Sequence, residues 1–535
     1  MALTKKQIQL AVRNIAQYGD TDVFPFPIEN HIFYDKEEEV LNVIDILNKN
    51  FDEYLSKYPP VFVKNLTVVG YHGFRSATQI DPMWNAYFLS LVLSIAKDLE
   101  NARIPSSKNT IFSYRFNPDS KKASLFDNRF NYRSYQEESI KRARSNEFVL
   151  ITDIADFYSR IYHHRIENAL YKATKDTNTI KRIMTLLNSF SGNVSYGLPI
   201  GGPAARILCE ILLNRTDRLL VSEKIQFCRF VDDMTIFANS KEEAYSHLVT
   251  LSQLLLENEG LSLQRAKTRI ITREEYLKSS NYFIENKPES TEEKEIKSFV
   301  SIRLQYDPYS PTADEDYKIL KSEIEKFDIV GLLGREIRKP RIDEMVTKQL
   351  IKATKYLSAK TINDVVLSLI SSLNTLYPIF PTVMIFLKAV LKGLNSETKE
   401  HVFTCIRELI DNESYITQVQ ANLAYALRVL SLDKSEESEA VLIKLYKKPL
   451  NMMLKRDIIL ILANQKADHW ISNYKRQYQV LTAWEKTALL ISSYILGDEG
   501  KHWRKSIKNE LSPLDKICLD WASRKNNFDN WEFPL

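Results

Sequence analysis

The stretch FCRFVDDMTIFAN, residues 227–239, decides the fold class of this chain. Two adjacent acids, Asp232 and Asp233, separate the apolar, β-prone runs Phe227–Val231 and Met234–Ala238. This pattern predicts a hairpin with the carboxylates at its turn. Neighbouring carboxylates repel each other and lack the positive-φ tolerance of the usual turn residues. A divalent cation would offset the repulsion, and oxygen ligands suit Mg²⁺. A solvated Asp-Asp turn is the alternative interpretation.

A third acid follows a strand pattern farther upstream. In EFVLITDIADFYSRI, residues 147–161, the apolar run Phe148–Ile151 leads directly into Asp153. A carboxylate at the end of a strand is well placed to act as a third metal ligand.

Two further segments flank the paired acids. In SYGLPIGGPAARILCEILL, residues 195–213, Gly197, Gly201 and Gly202 allow close backbone approach, and Pro203 marks a helix start. Downstream, an amphipathic helix pattern stops at Gly260, and GLSLQRAKTRIIT then predicts a strand pair that bears Lys267.

These four segments, in this order, resemble the palm of reverse transcriptases over roughly residues 100–275. The resemblance implies that Asp153 and Asp232 bridge two Mg²⁺ ions, for which Mn²⁺ can substitute, and that Asp233 is an auxiliary ligand. It also implies the Ile154 carbonyl as a backbone ligand. Two metal ions in such a site activate the attacking oxygen and stabilise the leaving pyrophosphate.

The same resemblance implies a set of nucleotide-binding residues. Tyr158 would exclude a ribose 2′-hydroxyl, with core packing as the alternative. Lys267 would lie near the triphosphate, with an ordinary exposed lysine as the alternative. Arg115 would clamp the triphosphate through its planar fork, with surface or core ion pairing as the alternative. The full set is Arg115, Asp156, Phe157, Tyr158, Gly201 and Lys267.

One position departs from the reverse transcriptase pattern. Ile200 stands where most members have a glutamine that touches the incoming nucleotide near the template pair. GLPIGGPAAR together with GDTDVFPFP, residues 19–27, resembles the bacterial abortive-infection (Abi) reverse transcriptases, the group of AbiK and its prophage-borne relatives. That resemblance implies template-independent DNA synthesis that starts on a protein tyrosine and leaves the DNA covalently attached. The sequence does not choose the priming tyrosine, for which Tyr18 and Tyr34 are guesses.

Two other functions stay open from the sequence. One is a conventional RNA-templated reverse transcriptase, and the other is a non-catalytic helical scaffold that senses phage. The expected partners are deoxynucleoside triphosphates, a single-stranded DNA product and further copies of the chain in a homo-oligomer.

Length and composition set the organisation. A chain of 535 residues is too long to fold around a single hydrophobic core. Its contents of 44% hydrophobic and 26% charged residues are ordinary for a soluble globular protein. The net charge of +5 permits nucleic-acid contact along a local groove but does not predict strong nonspecific DNA binding. The four cysteines have no paired spacing, which indicates a reducing compartment. With neither a signal-peptide pattern nor a membrane-spanning apolar run, we expect a cytoplasmic protein without membrane contact.

We expect two domains. Residues 1–312 should form an α/β (α+β) right-hand polymerase fingers and palm of reverse transcriptase type. Residues 313–535 should form an all-α, HEAT-like helical-repeat domain in place of the thumb, because amphipathic helix patterns recur there with short polar breaks. Between the acids and this helical half, Asn286–Glu295 is predicted as a loop, and SFVSIRLQYDPYSP, residues 298–311, as one more strand.

Overall fold

The computed structural model describes residues 3–284, 299, 320–322, 324, 326–526 and 532–535. The loop predicted at Asn286–Glu295 lies outside the described residues, as does the proposed domain boundary at residues 312–313. The strand predicted from SFVSIRLQYDPYSP also falls there, apart from Phe299, which is helical.

The described residues of the first half of the chain form eight strands. Two hairpins, β1 with β2 and β3 with β4, form separate two-stranded sheets. The other four strands form one antiparallel sheet in the order β6-β7-β5-β8. The strands are β1 Phe62–Val69, β2 Gly73–Ile80, β3 Phe116–Asp119, β4 Ser124–Phe126, β5 Phe148–Asp153, β6 Gln226–Phe230, β7 Asp233–Ala238 and β8 Arg269–Thr272.

Twelve described helices accompany these strands. They are α1 Lys5–Tyr18, α2 Ile28–Asp35, α3 Glu37–Lys49, α4 Phe51–Lys57, α5 Pro82–Ala102, α6 Tyr132–Ala143, α7 Phe157–Arg160, α8 His163–Ala173, α9 Thr177–Ser191, α10 Pro203–Ser222, α11 Lys241–Glu259 and α12 Arg273–Ile284.

The four-stranded sheet is buried on both faces. Successive side chains of a strand point to opposite faces, and here they enter two different cores. Leu150 and Ile236 belong to the large core, whereas Val149 and Phe237 belong to a smaller one. Helix α11 packs on β5 and β7, while α6 and α12 contact each other and the same sheet. Two-sided burial explains why these strands have continuous apolar sequences.

The structure bears out most of the local sequence predictions for this half. The acids follow β6 at a hairpin, Asp153 ends β5, Pro203 begins α10, and α11 stops at Gly260 in a left-handed cap. The strand pair predicted at GLSLQRAKTRIIT is wrong. Only β8 forms there, while Leu263 makes a single bridge to Ile154 and Lys267 lies in the intervening turn.

The second half is helix-rich. Its described helices are α13 Ile329–Arg338, α14 Glu344–Thr354, α15 Ala359–Ser371, α16 Phe380–Val390, α17 Ser396–Asp411, α18 Tyr415–Gln418, α19 Gln420–Leu430, α20 Glu436–Tyr446, α21 Met452–Asn464, α22 Asp468–Tyr474, α23 Ala483–Ser492, α24 Gly497–Ser506 and α25 Pro513–Lys525.

Alternate helices of this half stack on one another. Helix α15 contacts α17, α17 contacts α19, and the series continues through α21 and α23 to α25. The last helix packs against α2 and α3, and α19 packs on β1, so the helical half closes back onto the N-terminal region. The HEAT-like class of these helices stays a prediction. None of the helices in the described parts of the chain is long and apolar enough to cross a membrane.

Candidate active site

Strand register brings the three acids to one end of the sheet. Asp153 of β5 lies directly opposite Asp233 of β7. Phe230 pairs with Asp233 in the β6–β7 hairpin, which leaves Val231 and Asp232 as the turn. The Ile154 N–H donates to the Asp232 carbonyl at 3.2 Å and ties β5 to that turn.

The turn itself has an unusual backbone. Val231 has a φ of +58° and is buried. Glycine usually occupies this position of a short hairpin, and a β-branched residue is strained there by about 1–3 kcal/mol. The surrounding structure holds this conformation from both sides. Ser113 Oγ accepts from the Val231 N–H at 2.9 Å, and Arg229 Nη1 donates to the Val231 carbonyl at 2.8 Å.

Behind the turn lies a buried charge network that the sequence analysis missed. Arg229 forms ion pairs with Glu210 at 2.9 Å and Asp217 at 2.7 Å, and all three side chains are 1% exposed. Ser113 donates to Glu210 at 2.5 Å, and Arg103 pairs with the same carboxylate at 2.6 Å. Burial would raise the pKa of Glu210, but Arg229 and Arg103 outweigh it and lower the pKa. The sequence did carry a signal for this network, because Glu210 and Arg229 are single charges inside the apolar runs ILCEILL and FCRF, and a buried charge needs a partner.

Ser113→Ala should therefore destabilise the fold. It removes the acceptor for the buried Val231 N–H and a donor to Glu210, so we expect a loss of about 1–3 kcal/mol in the free energy of unfolding. Urea denaturation measures this loss, with the exposed Ser107→Ala as the matched control. Equal midpoints for the two variants would show that Ser113 does not support the turn.

The electrostatics of the acids reflect their crowding. Burial, then the charges of Asp153 and Asp233, raise the pKa of Asp232 to about 7. Burial and Asp153 likewise raise the pKa of Asp233 to about 6. Lys267 ion-pairs with Asp153. Burial would lower the pKa of Lys267, but the hydrogen bond and charge of Asp153 dominate and raise it. One lysine thus offsets part of the charge of three carboxylates.

The fit to a metal ion can be tested on these contacts. Within the described residues, no three His, Cys, Asp or Glu side chains are arranged to hold a metal ion together. Two features nevertheless fit a cation. Asp153 Oδ1 is buried without a hydrogen-bond partner in the part of the chain that the structure describes, and the neighbouring carboxylates are destabilised as anions. A hard cation accepts oxygen ligands of this kind, so Asp153, Asp232 and Asp233 are the residues that would hold it.

The raised pKa values predict how stability depends on pH without metal. The folded protein holds protons on Asp232 and Asp233 that the unfolded chain loses near the ordinary value of 3.8. In EDTA, the free energy of unfolding should therefore fall as pH rises from about 4 to about 7. Asp232→Asn cannot ionise, so it should be more stable than wild type at pH 7.5 by on the order of 2 kcal/mol and similar at pH 4.

Urea denaturation at several pH values between about 4 and 7.5 measures the free energy of unfolding of each variant. The difference between wild type and Asp232→Asn isolates this site from other titrating groups. Asp45→Asn, which removes a half-exposed acid that pairs with Lys49 on α3, should keep the wild-type pH dependence. Parallel pH curves for wild type and Asp232→Asn would contradict the crowding of the carboxylates.

The residues after Asp153 separate into exposed and buried positions. Asp156 is exposed, with a φ of +49°, and precedes the short helix α7. The side chain of Phe157 is 3% exposed and packs in the large core, and its role as a nucleotide contact stays a prediction. Tyr158 is half-buried, and its hydroxyl lies 3.4 Å from Cys209 Sγ on α10. Burial and Cys209 raise the pKa of Tyr158 well above its usual value.

Arg115 does not lie free for a triphosphate. Its side chain is 3% exposed, pairs with Glu100 at 3.0 Å and donates to the Ile111 carbonyl at 3.1 Å. Releasing it would leave Glu100 without this partner, and a buried guanidinium is strongly tied to its ion pair. Arg115 thus makes the core ion pair that the sequence allowed as the alternative, while its buried Nη2 has no hydrogen-bond partner among the described residues. The triphosphate clamp stays a prediction.

The GLPIGG turn packs against the N-terminal segment. Gly201 has a φ of +113°, and a Cβ at this position would lie 2.1 Å from Thr21 Oγ1, so only glycine fits. The adjoining Asp22 ion-pairs with Arg206 of α10. At the other end of the turn, His163 Nε2 hydrogen-bonds the Gly197 carbonyl at 2.8 Å. The two stretches that carried the Abi resemblance therefore contact each other.

Comparisons with known proteins identify a domain family. Residues 89–300 match the family described as reverse transcriptase (RNA-dependent DNA polymerase). This match supports a nucleotidyltransferase domain of reverse transcriptase type and confirms that part of the sequence prediction. A search of curated proteins finds no match.

Solved structures of telomerase show a distant similarity. Apo telomerase from Candida tropicalis is 12% identical with a TM-score of 0.31, over 71% of this chain and 74% of that chain. Telomerase from Candida albicans in complex with a TWJ fragment of telomeric RNA is 10% identical with a TM-score of 0.31, over 76% of this chain and 71% of that chain.

Proposed function

We propose that this protein is an antiphage abortive-infection DNA polymerase that adds deoxynucleotides without a template and starts on a protein tyrosine. The observation that carries the proposal is the contact between Gly201 of the GLPIGG turn and Thr21 of the N-terminal segment. Ile200 beside it cannot hydrogen-bond a nucleotide through its side chain. By the family resemblance, Ile200 stands where most reverse transcriptases have a glutamine that touches the incoming nucleotide near the template pair.

The chain's own residues divide the chemistry. When bound at Asp153, Asp232 and Asp233, divalent metal supplies activation of the attacking oxygen and stabilisation of the leaving pyrophosphate. Lys267 is exposed and pairs with Asp153. It neutralises or protonates the leaving pyrophosphate. Tyr158 limits the space beside the sugar. Triphosphates are the substrates, single-stranded DNA is the product, and the working form is a cytoplasmic homo-oligomer.

A conventional RNA-templated reverse transcriptase is the second candidate, because the matched family is described as RNA-dependent. A non-catalytic phage-sensing scaffold is the third, and it would make the stacked helices the working part. The crowded acids and Lys267 favour catalysis over an idle palm.

One incubation distinguishes these candidates. Purified protein is mixed with Mg²⁺ and labelled deoxynucleotides without nucleic acid, then denatured. We expect label that stays with the protein and is released by DNase, and we expect Asp232→Asn to abolish it while Asp45→Asn retains it. Label that requires added RNA and primer would establish the second candidate instead. No incorporation in either mixture would contradict both polymerase candidates and support the third.

Tyr158 provides a separate test of sugar selection. Tyr158→Phe keeps the ring and loses only the hydroxyl near Cys209, so preference for deoxynucleotides should persist. Tyr158→Ala opens the space and should reduce the ratio of kcat/KM for deoxy- over ribonucleotides by about tenfold or more. An unchanged ratio in Tyr158→Ala, with lower stability, would leave the residue with core packing alone.

A further inference from the structure

A cavity of about 580 Å³ lies where the N-terminal segment meets the helical half. Six residues between Tyr18 and Phe26, together with His31, form one wall, and helices α16 and α19 with Leu535 form the other. Its lining combines cationic and aromatic side chains, namely Tyr18, Phe26, His31, Lys388, Tyr425 and Arg428. None of the three acids of the candidate active site lines this cavity.

Arg428 lines this cavity and has donors without hydrogen-bond partners among the described residues. It is 4% exposed, and its Nη2 donates to Asp457 at 2.9 Å and to the Phe26 carbonyl at 2.9 Å. Its Nε and Nη1 are buried and have no hydrogen-bond partner among the described residues. Leaving charged donors unsatisfied in the interior is costly, so an acceptor ligand beside them would be favoured.

A second cation reinforces the positive charge. Lys388 is half-buried and donates to the main-chain oxygen of Leu535, which uses one of its three donors. Burial and the charge of Arg428 lower the pKa of Lys388 to about 8. Three acids nearby are already engaged, because Asp22 pairs with Arg206, Asp457 pairs with Arg428 and Arg456, and Glu29 pairs with Arg456. Lys388 and Arg428 therefore remain the cationic side chains of the lining that an anionic ligand would meet.

The other walls are aromatic and partly open. Tyr18 and Phe26 are 48% and 42% exposed, which is high for such rings. Tyr425 is fixed by its hydroxyl, which donates to the Val23 carbonyl at 3.2 Å. Exposed rings beside cationic side chains match a ligand that has a planar base and a phosphate.

We propose that this cavity binds a nucleoside phosphate, with the phosphate at Arg428 and Lys388 and the base against Phe26. The site is separate from the polymerase centre. Its wall includes Thr21 and Asp22, which contact Gly201 and Arg206, so a bound nucleotide would sit between the helical half and the GLPIGG turn.

Calorimetric titration with ADP tests the proposal. EDTA is present throughout, so metal-dependent binding at the three acids does not contribute. We expect wild type to bind ADP saturably and Lys388→Gln to bind it about tenfold more weakly, because a charge-assisted contact is lost. Lys388 is chosen because Arg428 belongs to a buried ion-pair network that the fold needs.

Matched variants identify each part of the ligand. Phe26→Ala should weaken ADP binding but leave pyrophosphate binding unchanged. Lys392→Gln, one helical turn beyond Lys388 and exposed, and Phe74→Ala, on β2 and 52% exposed, should behave as wild type. Asp232→Asn should bind ADP normally even though it cannot polymerise, which keeps this result distinct from the fate of the proposed function.

Three results would overturn the proposal. Absence of saturable ADP binding to wild type would do so, as would equal affinity in Lys388→Gln. An unchanged ADP affinity in Phe26→Ala would reduce the site to a phosphate site and remove the nucleotide assignment.

Discussion

The candidate active site depends on the left-handed backbone of Val231. A valine does not adopt this conformation by preference, so the surroundings must impose it. Ser113 and Arg229 do so by hydrogen-bonding the N–H and the carbonyl of the same residue. Because the turn is only two residues long, this conformation fixes where Asp232 leaves the sheet and keeps Asp233 opposite Asp153.

Holding the turn in this way requires charges in the interior. Arg229 is buried and is compensated by Glu210 and Asp217, and Glu210 is also shared with Arg103. Removing one member of such a group leaves an uncompensated buried charge, which is strongly destabilising. The network therefore gives a rigid base to a site whose exposed side holds mutually repelling carboxylates.

The sequence predicted those features that depend on local pattern. Apolar runs that border acids predicted β5, β6 and β7, and Pro203 and Gly260 predicted a helix start and a helix end, because strand and helix signals are short-range. It failed where partners are distant in the chain. The sequence around Arg115 gives no sign that Glu100 pairs with it in the interior, and Phe157 is buried by the large core rather than by its own segment. The support of Val231 by Ser113 spans more than a hundred residues and has no local signal.

The same long-range logic connects the helical half to the active site. Arg456 is fully buried between Glu29 of α2 and Asp457, and Asp457 also holds Arg428. Arg428 in turn donates to Phe26 in the segment that continues back to Thr21 and the GLPIGG turn. Buried ion pairs tolerate little displacement, because separating the charges in a low-dielectric interior is unfavourable. A shift of α19 or α21 would therefore be transmitted to residues 19–27, so the helical half restrains the wall of the nucleotide site through charge pairing as well as apolar packing.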